Sequence, residues 1–290
     1  MRFAINPIQW TATSDGWIDP ALEPPLPELL DEVARAGYTA VHAAPPRGAD
    51  IGAYAEALAA AGLAAAPGYF SVPFADPPSR EANIAAADAV AAQHAALGLT
   101  EIFLATRMDP IRVEHPARGE ARDDERLDVI ADQIDEAART MLRHGVLPCL
   151  HPHVGSWIEV EAEVEWILAR VPPERLAIGA DIGHLAWAGV DPLTFVSRHQ
   201  DRVRALHIKD IRLDVARKHR DVGSSYREVV RDGLWTEPGR GDLDLPAILD
   251  ALPNGFDGWV IVEVDSPDLP TPAESARAGA DWAGRAGAGR

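Results

Sequence analysis

The sequence predicts an α/β protein, a single-domain (β/α)8 barrel, and three observations carry that prediction. Short apolar runs of buried-strand length recur eight times. Stretches with helical periodicity or propensity separate them. The 290 residues contain no low-complexity linker that would divide them.

In chain order, residues 2–6 form the first strand. Leu26, Leu29, Leu30 and Val33 follow at i, i+3, i+4 and i+7 as one apolar helix stripe, and Gly37 stands at its C-terminal stop. Residues 39–43 are the second strand. Residues 63–67 are the third, although this stretch would also continue a helix. Residues 81–97 are rich in alanine and strongly helical in propensity. Residues 101–105 and 146–151 are the fourth and fifth strands. Between them Leu127, Ile130, Ile134, Ala138, Met141 and Leu142 repeat the stripe up to Gly145. Val160, Val164, Ile167 and Leu168 do so again before Pro172 and Pro173. Residues 176–180, 203–208 and 259–264 complete the eight, with Asp191-Pro192 as a helix N-cap and first turn.

Residues 211–242 are too many for a simple strand-to-helix connection and are expected to lie as a long loop over the active-site end. The barrel is assigned to residues 1–276, and residues 277–290, rich in Gly, Ala and Arg, are expected to fray as a flexible tail. The runner-up architecture is an open doubly wound sheet. No glycine-rich phosphate loop follows any strand to support it, and Gly239-Arg240-Gly241 does not sit between a strand and a helix.

Composition narrows the function. Lys and Arg number 27 against 45 Asp and Glu, a net charge of −18. That balance opposes a nucleic-acid backbone or an anionic membrane surface as partner. Apolar residues at 47% belong to a chain that forms a core. Cys149 is the lone cysteine, which excludes an internal disulfide and a multi-cysteine zinc site. No run approaches the ~18 apolar residues of a membrane span, and the start of the chain lacks the apolar stretch of a signal peptide. A soluble, cytoplasmic protein is expected, and nothing in the sequence speaks against a homo-oligomer.

In a barrel the chemistry lies at the C-terminal ends of the strands. Asn6, with Gln9 and Trp10 beyond it, ends the first strand. His42 ends the second, and Arg107 follows the fourth. His151 and His153 end the fifth, Asp181 the sixth with His184 three residues on. The seventh delivers His207, Lys209 and Asp210, and the eighth Glu263 and Asp265. A single histidine at a strand end is ordinarily a loop residue. Here five of ten histidines share that position with two carboxylates. Such a set suits one divalent ion: Mn²⁺, Co²⁺, Fe²⁺ or Zn²⁺. His151 and His153 are two apart and share a strand face. Asp181 either holds the ion or caps the next helix. Glu263 closes an apolar run where a carboxylate is costly to bury without a cation. Lys209 either pairs with acidic neighbours or polarises a carbonyl and moves a proton. Tryptophans after the strands would wall a sugar ring or pack structurally.

Asn6-Pro7-Ile8-x-Trp10, His151-Pro152-His153-Val154-Gly155, Asp181-x-Gly183-His184-Leu185, His207-x-Lys209-Asp210-x-Arg212, the stretch Gly233 to Asp244, and Gly258-Trp259-x-x-x-Glu263 together resemble the inosose dehydratases. These belong to the xylose isomerase-like superfamily of sugar isomerases and epimerases. The resemblance spans nearly the whole chain and is strongest after Leu150. It implies one divalent metal, with Mn²⁺ or Co²⁺ favoured and Mg²⁺, Fe²⁺ or Zn²⁺ also accepted, on Asp181, His207 and Glu263. The fourth ligand of the superfamily, a Glu, falls near His151, so His151, His153 or water takes its place. His42 stands where dehydratase-like relatives tend to be acidic, and Glu237-Pro238-Gly239-Arg240 adds charge to a loop that is usually more neutral.

The implied reaction is removal of a proton α to a carbonyl of a keto-polyol or keto-sugar, with His184, His153 and Lys209 as acid–base candidates. Loss of a β-hydroxyl makes it a dehydratase; epimerisation or isomerisation shares the same first half. Asn6, Trp10, His42, Arg107 and Arg240 are the expected substrate contacts. The scarcity of basic residues at the mouth favours a neutral polyol, although Arg240 would also bind a carboxylate. From other classes, a metal-dependent endonuclease is opposed by the net charge, and a non-catalytic sugar-binding subunit would carry a broken metal set.

Overall fold

A computed structural model of the chain describes residues 1–288. The barrel strands are Arg2–Ile5, Ala40–His42, Ala64–Ala66 continuing as Tyr69–Val72, Glu101–Thr106, Leu147–Leu150, Ala177–Asp181, Val203–Ile208 and Trp259–Val262. All pairings among them are parallel. The first strand pairs with the eighth from Arg2↔Trp259 to Ile5↔Val262, and with the second at Ile5↔Val41. Each remaining strand pairs with its sequence neighbours, so the sheet curls into the expected barrel.

The third strand is where the sequence reading fell short. Its first half pairs with the second strand, and its second half, unforeseen, pairs with the fourth. Between the halves lies Pro67-Gly68, which reads as a strand end. A Cβ at Gly68 would stand 2.3 Å from the Ala43 carbonyl oxygen, so only glycine lets the two backbones approach. The Gly68 amide donates to His94 Nε2 at 3.0 Å, and His94 Nδ1 donates to Val90 O at 2.9 Å. Gly68→Ala is therefore expected to cost about 2–3 kcal/mol, read as a lowered urea midpoint with unchanged slope.

Helices Leu26–Ala36, Arg80–Ala96, Asp124–Leu142, Glu161–Arg170 and Pro192–Arg198 form where expected. Gly37 ends the first at φ +108, and the Asp191 side chain caps the last through the amides of Leu193 and Thr194. Ile51–Ala60, whose alanines blur any stripe, adds another. Residues 211–242 are a folded cap rather than a loop. Helices Leu213–Val222 and Tyr226–Arg231 and a short ladder, Trp235↔Ile211, fill them. The cap has its own core, in which Tyr226, Val229, Val230 and Trp235 pack with Trp187 of the barrel.

The expected flexible tail is a correction. Residues 277–288 belong to helix Pro272–Ala288, with Ala276, Trp282 and Ala283 buried. Trp282 meets Phe3 edge-on at 6.2 Å, and a Cβ at Gly279 would lie 2.6 Å from the Tyr38 hydroxyl. Small residues here serve close helix packing. Residues 289–290 lie outside the described residues. Among the described residues no helix is long and apolar enough to cross a membrane.

The strand alternation sets up the site. Ala4, Ala40, Ala66, Phe103, Ala205, Trp259 and Ile261 form a cluster apart from the larger sheet–helix core. Two residues beyond several of them, on the same face, stand Asn6, His42, His207 and Glu263. Small residues fill the floor and polar ones crown it. Phe103 is the plug that touches the crown, 4.2 Å from the ring of His207 and 5.3 Å from that of His151.

Candidate active site

Four consecutive strand ends bring their side chains together. His151 Nδ1 donates to Gly179 O at 2.9 Å, which leaves the Nε2 lone pair facing Asp181 Oδ2 at 3.8 Å. Asp181 divides its two oxygens. Oδ1 accepts from the His184 amide at 3.0 Å and caps helix Ile182–Trp187. Oδ2 points into the barrel, so the cap and the ligand readings hold for different oxygens. His207 Nδ1 lies 3.9 Å from Asp181 Oδ2 and 3.1 Å from Glu263 Oε2. Glu263 Oε2 also accepts from Asn6 Nδ2 at 2.5 Å.

The ligand atoms of His151, Asp181 and His207 all lie within 4.8 Å of one another. Asp181 Oδ2 and both ring nitrogens of His207 are buried with no hydrogen-bond partner of good geometry. Buried polar atoms are rarely left so. Donors that each sit about 2.0–2.2 Å from an ion lie no more than about 4.4 Å apart, a limit that the 3.8 and 3.9 Å separations of Asp181 Oδ2 from His151 and His207 meet, and imidazole with carboxylate is a set that first-row divalent ions accept. The residues fit a divalent cation.

Lys209 is fully buried and draws on three carboxylates. Its Nζ lies 2.5 Å from Glu263 Oε1, 3.2 Å from Asp181 Oδ2 and 3.0 Å from Asp265 Oδ1. It also approaches His184 Nε2 at 3.2 Å. Gly183 permits this, since a Cβ there would stand 2.7 Å from Lys209 O. Three buried carboxylates exceed one ammonium, which is the charge a divalent cation would neutralise. Burial opposes the charge on Lys209, but the three carboxylates outweigh it and hold the ammonium well above its usual range. Burial pushes Asp265 up to about 7, against the pull of Lys209. Burial, with neighbouring rings and the ammonium, holds His151 and His184 neutral, and takes His153 and His42 down to about 3. Neutral imidazoles keep the lone pairs that ligands and bases need.

A cavity of about 610 Å³ opens beside this cluster, and His151, His153, His207, Glu263 and Asp265 line it. Residues 30–286 match the profile described as xylose isomerase-like TIM barrel. The chain belongs to the xylose isomerase-like TIM barrel family. It is 30% identical to the rhizopine catabolism protein MocC of Rhizobium meliloti, over 96% of this chain and 86% of that one. It is 27% identical to an inosose dehydratase of Geobacillus thermodenitrificans, over 95% of this chain and 94% of that one. The solved IolI protein with a bound zinc atom shares the fold at TM-score 0.71 and 16% identity, covering 99% of this chain and 98% of its own. The relatives named for their reactions place the chain among the enzymes of this family.

In this xylose isomerase-like barrel most of the expected site residues converge. The His153 ring lies tilted against His184, ring centres 3.7 Å apart, and His42 meets His207 edge-on at 5.9 Å. Asn6, His42 and Arg107 line the cavity, Arg107 from an exposed position at its mouth. Two expected substrate contacts are placed elsewhere. Trp10 packs against the main core, and Arg240 is exposed on the cap, 3.8 Å from Glu237. The Gly239-Arg240-Gly241 turn instead wraps the Asp210 carboxylate, which accepts from the amides of Gly239 and Gly241. The sequence reading gave Asp265 no role, although its spacing from Glu263 puts both on one face. It missed Trp17, Tyr69, Met108 and Tyr226 as cavity walls, for which no local signal exists.

Proposed function

We propose that the chain is a divalent-metal-dependent lyase of the inosose dehydratase type, which removes a proton α to a carbonyl of a keto-polyol or keto-sugar and expels a β-hydroxyl. The observation that carries this reading is the buried convergence of the ligand atoms of His151, Asp181 and His207 beside a cavity that also holds acid–base groups. His151, Asp181, His207 and Glu263 would hold the ion, with Mn²⁺ or Co²⁺ favoured. Bound there, a divalent cation stabilises the negative charge that develops on a carbonyl oxygen.

The chain's own residues supply the proton transfers. His153 Nδ1 donates to Val154 O at 2.8 Å, which leaves Nε2 free as a base on a cavity-lining side chain. The proton taken from carbon passes to that nitrogen. The hydroxyl leaves as water with a proton supplied from the far side. Asp265 faces the cavity, and its two oxygens each lie 3.0 Å from Lys209 Nζ. Lys209 and His184 do not line the cavity, so Asp265 links them to a leaving group. Asn6 fixes the Glu263 carboxylate and completes the wall.

Metal-loaded protein incubated with keto-inositols, ketoses and 3-keto-glycosides in D₂O is the test. The expected result is deuterium at the carbon beside the carbonyl and a dehydrated product from at least one ring. Exchange without loss of water would mean an epimerase or isomerase. Neither exchange nor turnover with any substrate, with metal bound, would overturn the reading.

A further inference from the structure

The cavity extends well past the residues that would hold an ion. Its lining is mostly apolar and includes Ile8, Trp17, Ile18, Leu26, Leu30 and Met108. A polyol hydroxyl set against these side chains would lose water and gain no partner from them. The whole space, about 610 Å³, falls in the range of roughly 300–1,000 Å³ that encloses drug-sized ligands, larger than a bare six-carbon ring requires.

This apolar arm is built, not left over. The turn that carries Trp17 comes from near the start of the chain and is fastened to the cap. Asp15 Oδ2 pairs with Arg227 at 3.0 Å and Arg231 at 3.1 Å. The Arg227 guanidinium lies 4.3 Å over the Trp17 ring, and Tyr226 meets that ring edge-on at 6.4 Å. Gly16, at φ +72, sits where a Cβ would stand 2.6 Å from Val230 Cγ1. Two segments more than two hundred residues apart thus fix one apolar wall. Ile18 on that wall is 45% exposed, apolar surface that an occupant of the arm would cover.

We propose that the substrate carries an apolar substituent, an alkyl or aryl group joined through oxygen to the keto-polyol or keto-sugar ring, and that this arm binds it. The proposal rests on the keto-polyol reading above, because it places the ring at the strand ends and the substituent under Trp17.

The test compares matched pairs on metal-loaded protein: 3-keto-glucose against its phenyl glycoside, and a keto-inositol against its benzyl ether. The substituted member of at least one pair is expected to have a kcat/KM about tenfold or more above the bare ring. Trp17→Ala should shrink that ratio to near one, with Trp17→Phe retaining most of it and guarding against a folding artefact. Equal kcat/KM for bare and substituted rings would overturn the arm and leave the lyase reading intact. If no ring turns over, the lyase reading fails. Calorimetric affinity then decides the arm alone, since equal binding of bare and substituted rings overturns it and tighter binding of the substituted ring that Trp17→Ala removes supports it.

Discussion

Asp181→Asn is expected to abolish the rise in Tm that a divalent metal should give the wild-type protein, and to lower kcat/KM by about 10²-fold or more. The substitution keeps the shape of the side chain. Its remaining carbonyl oxygen can still accept from the His184 amide, so the cap on helix Ile182–Trp187 survives. What goes is the charged Oδ2, which faces His151, His207 and Lys209. In the wild type, metal at about 100 times its Kd should add about 2.7 kcal/mol, an upward shift of about 5 °C for a chain of this size. Without metal the variant should melt no lower than wild type, because three buried carboxylates crowd one ammonium and the change relieves that crowding. Undiminished stability without metal and a deficit with it cannot both come from general damage. An equal metal-induced shift in variant and wild type would remove Asp181 from the ligand set.

The strand ends were legible for a simple reason. A buried strand is apolar on both faces until it reaches solvent, so the first polar residues after each run mark the mouth. Asn6, His42, His151, Asp181, His207 and Glu263 all follow from that rule. What the sequence hid depends on contacts between distant segments. Trp10 and Trp17 look alike in sequence, but only the Asp15 pairing with Arg227 and Arg231 decides which one faces the cavity. The second half of the third strand was hidden because Pro67-Gly68 signals an end, whereas here it is a close crossing beneath His94. The cap read as a loop because its core is completed by Trp187, which lies outside it. The terminal helix read as a tail because Gly and Ala are common to both flexible and tightly packed segments; Trp282 was the one clue.

Arg112→Met should cost about 3–5 kcal/mol and reduce activity at temperatures where the variant is still folded. Arg112 is fully buried and bonds Glu159 at 3.0 Å and Glu163 at 2.6 Å, with Trp157 against its guanidinium at 4.6 Å. Glu159 in turn accepts from the amides of Ala117, Gly119 and Gly155. One carboxylate thus ties the helix Pro110–Glu114 region to the segment that follows His153. Removing the guanidinium leaves two buried carboxylates without their cation. Burial already raises Glu159, partly offset by the Gly155 amide and Arg112, and without Arg112 the rise becomes larger. A folded-state pKa above the unfolded one makes the stability deficit grow as pH rises past the ordinary carboxylate range. The gap between variant and wild type should therefore narrow as pH falls toward about 5. Urea titrations at pH 5 and pH 8 measure it. A gap independent of pH would assign the loss to packing of the arginine stem against Trp157, and would deny the charge network its part in holding His153.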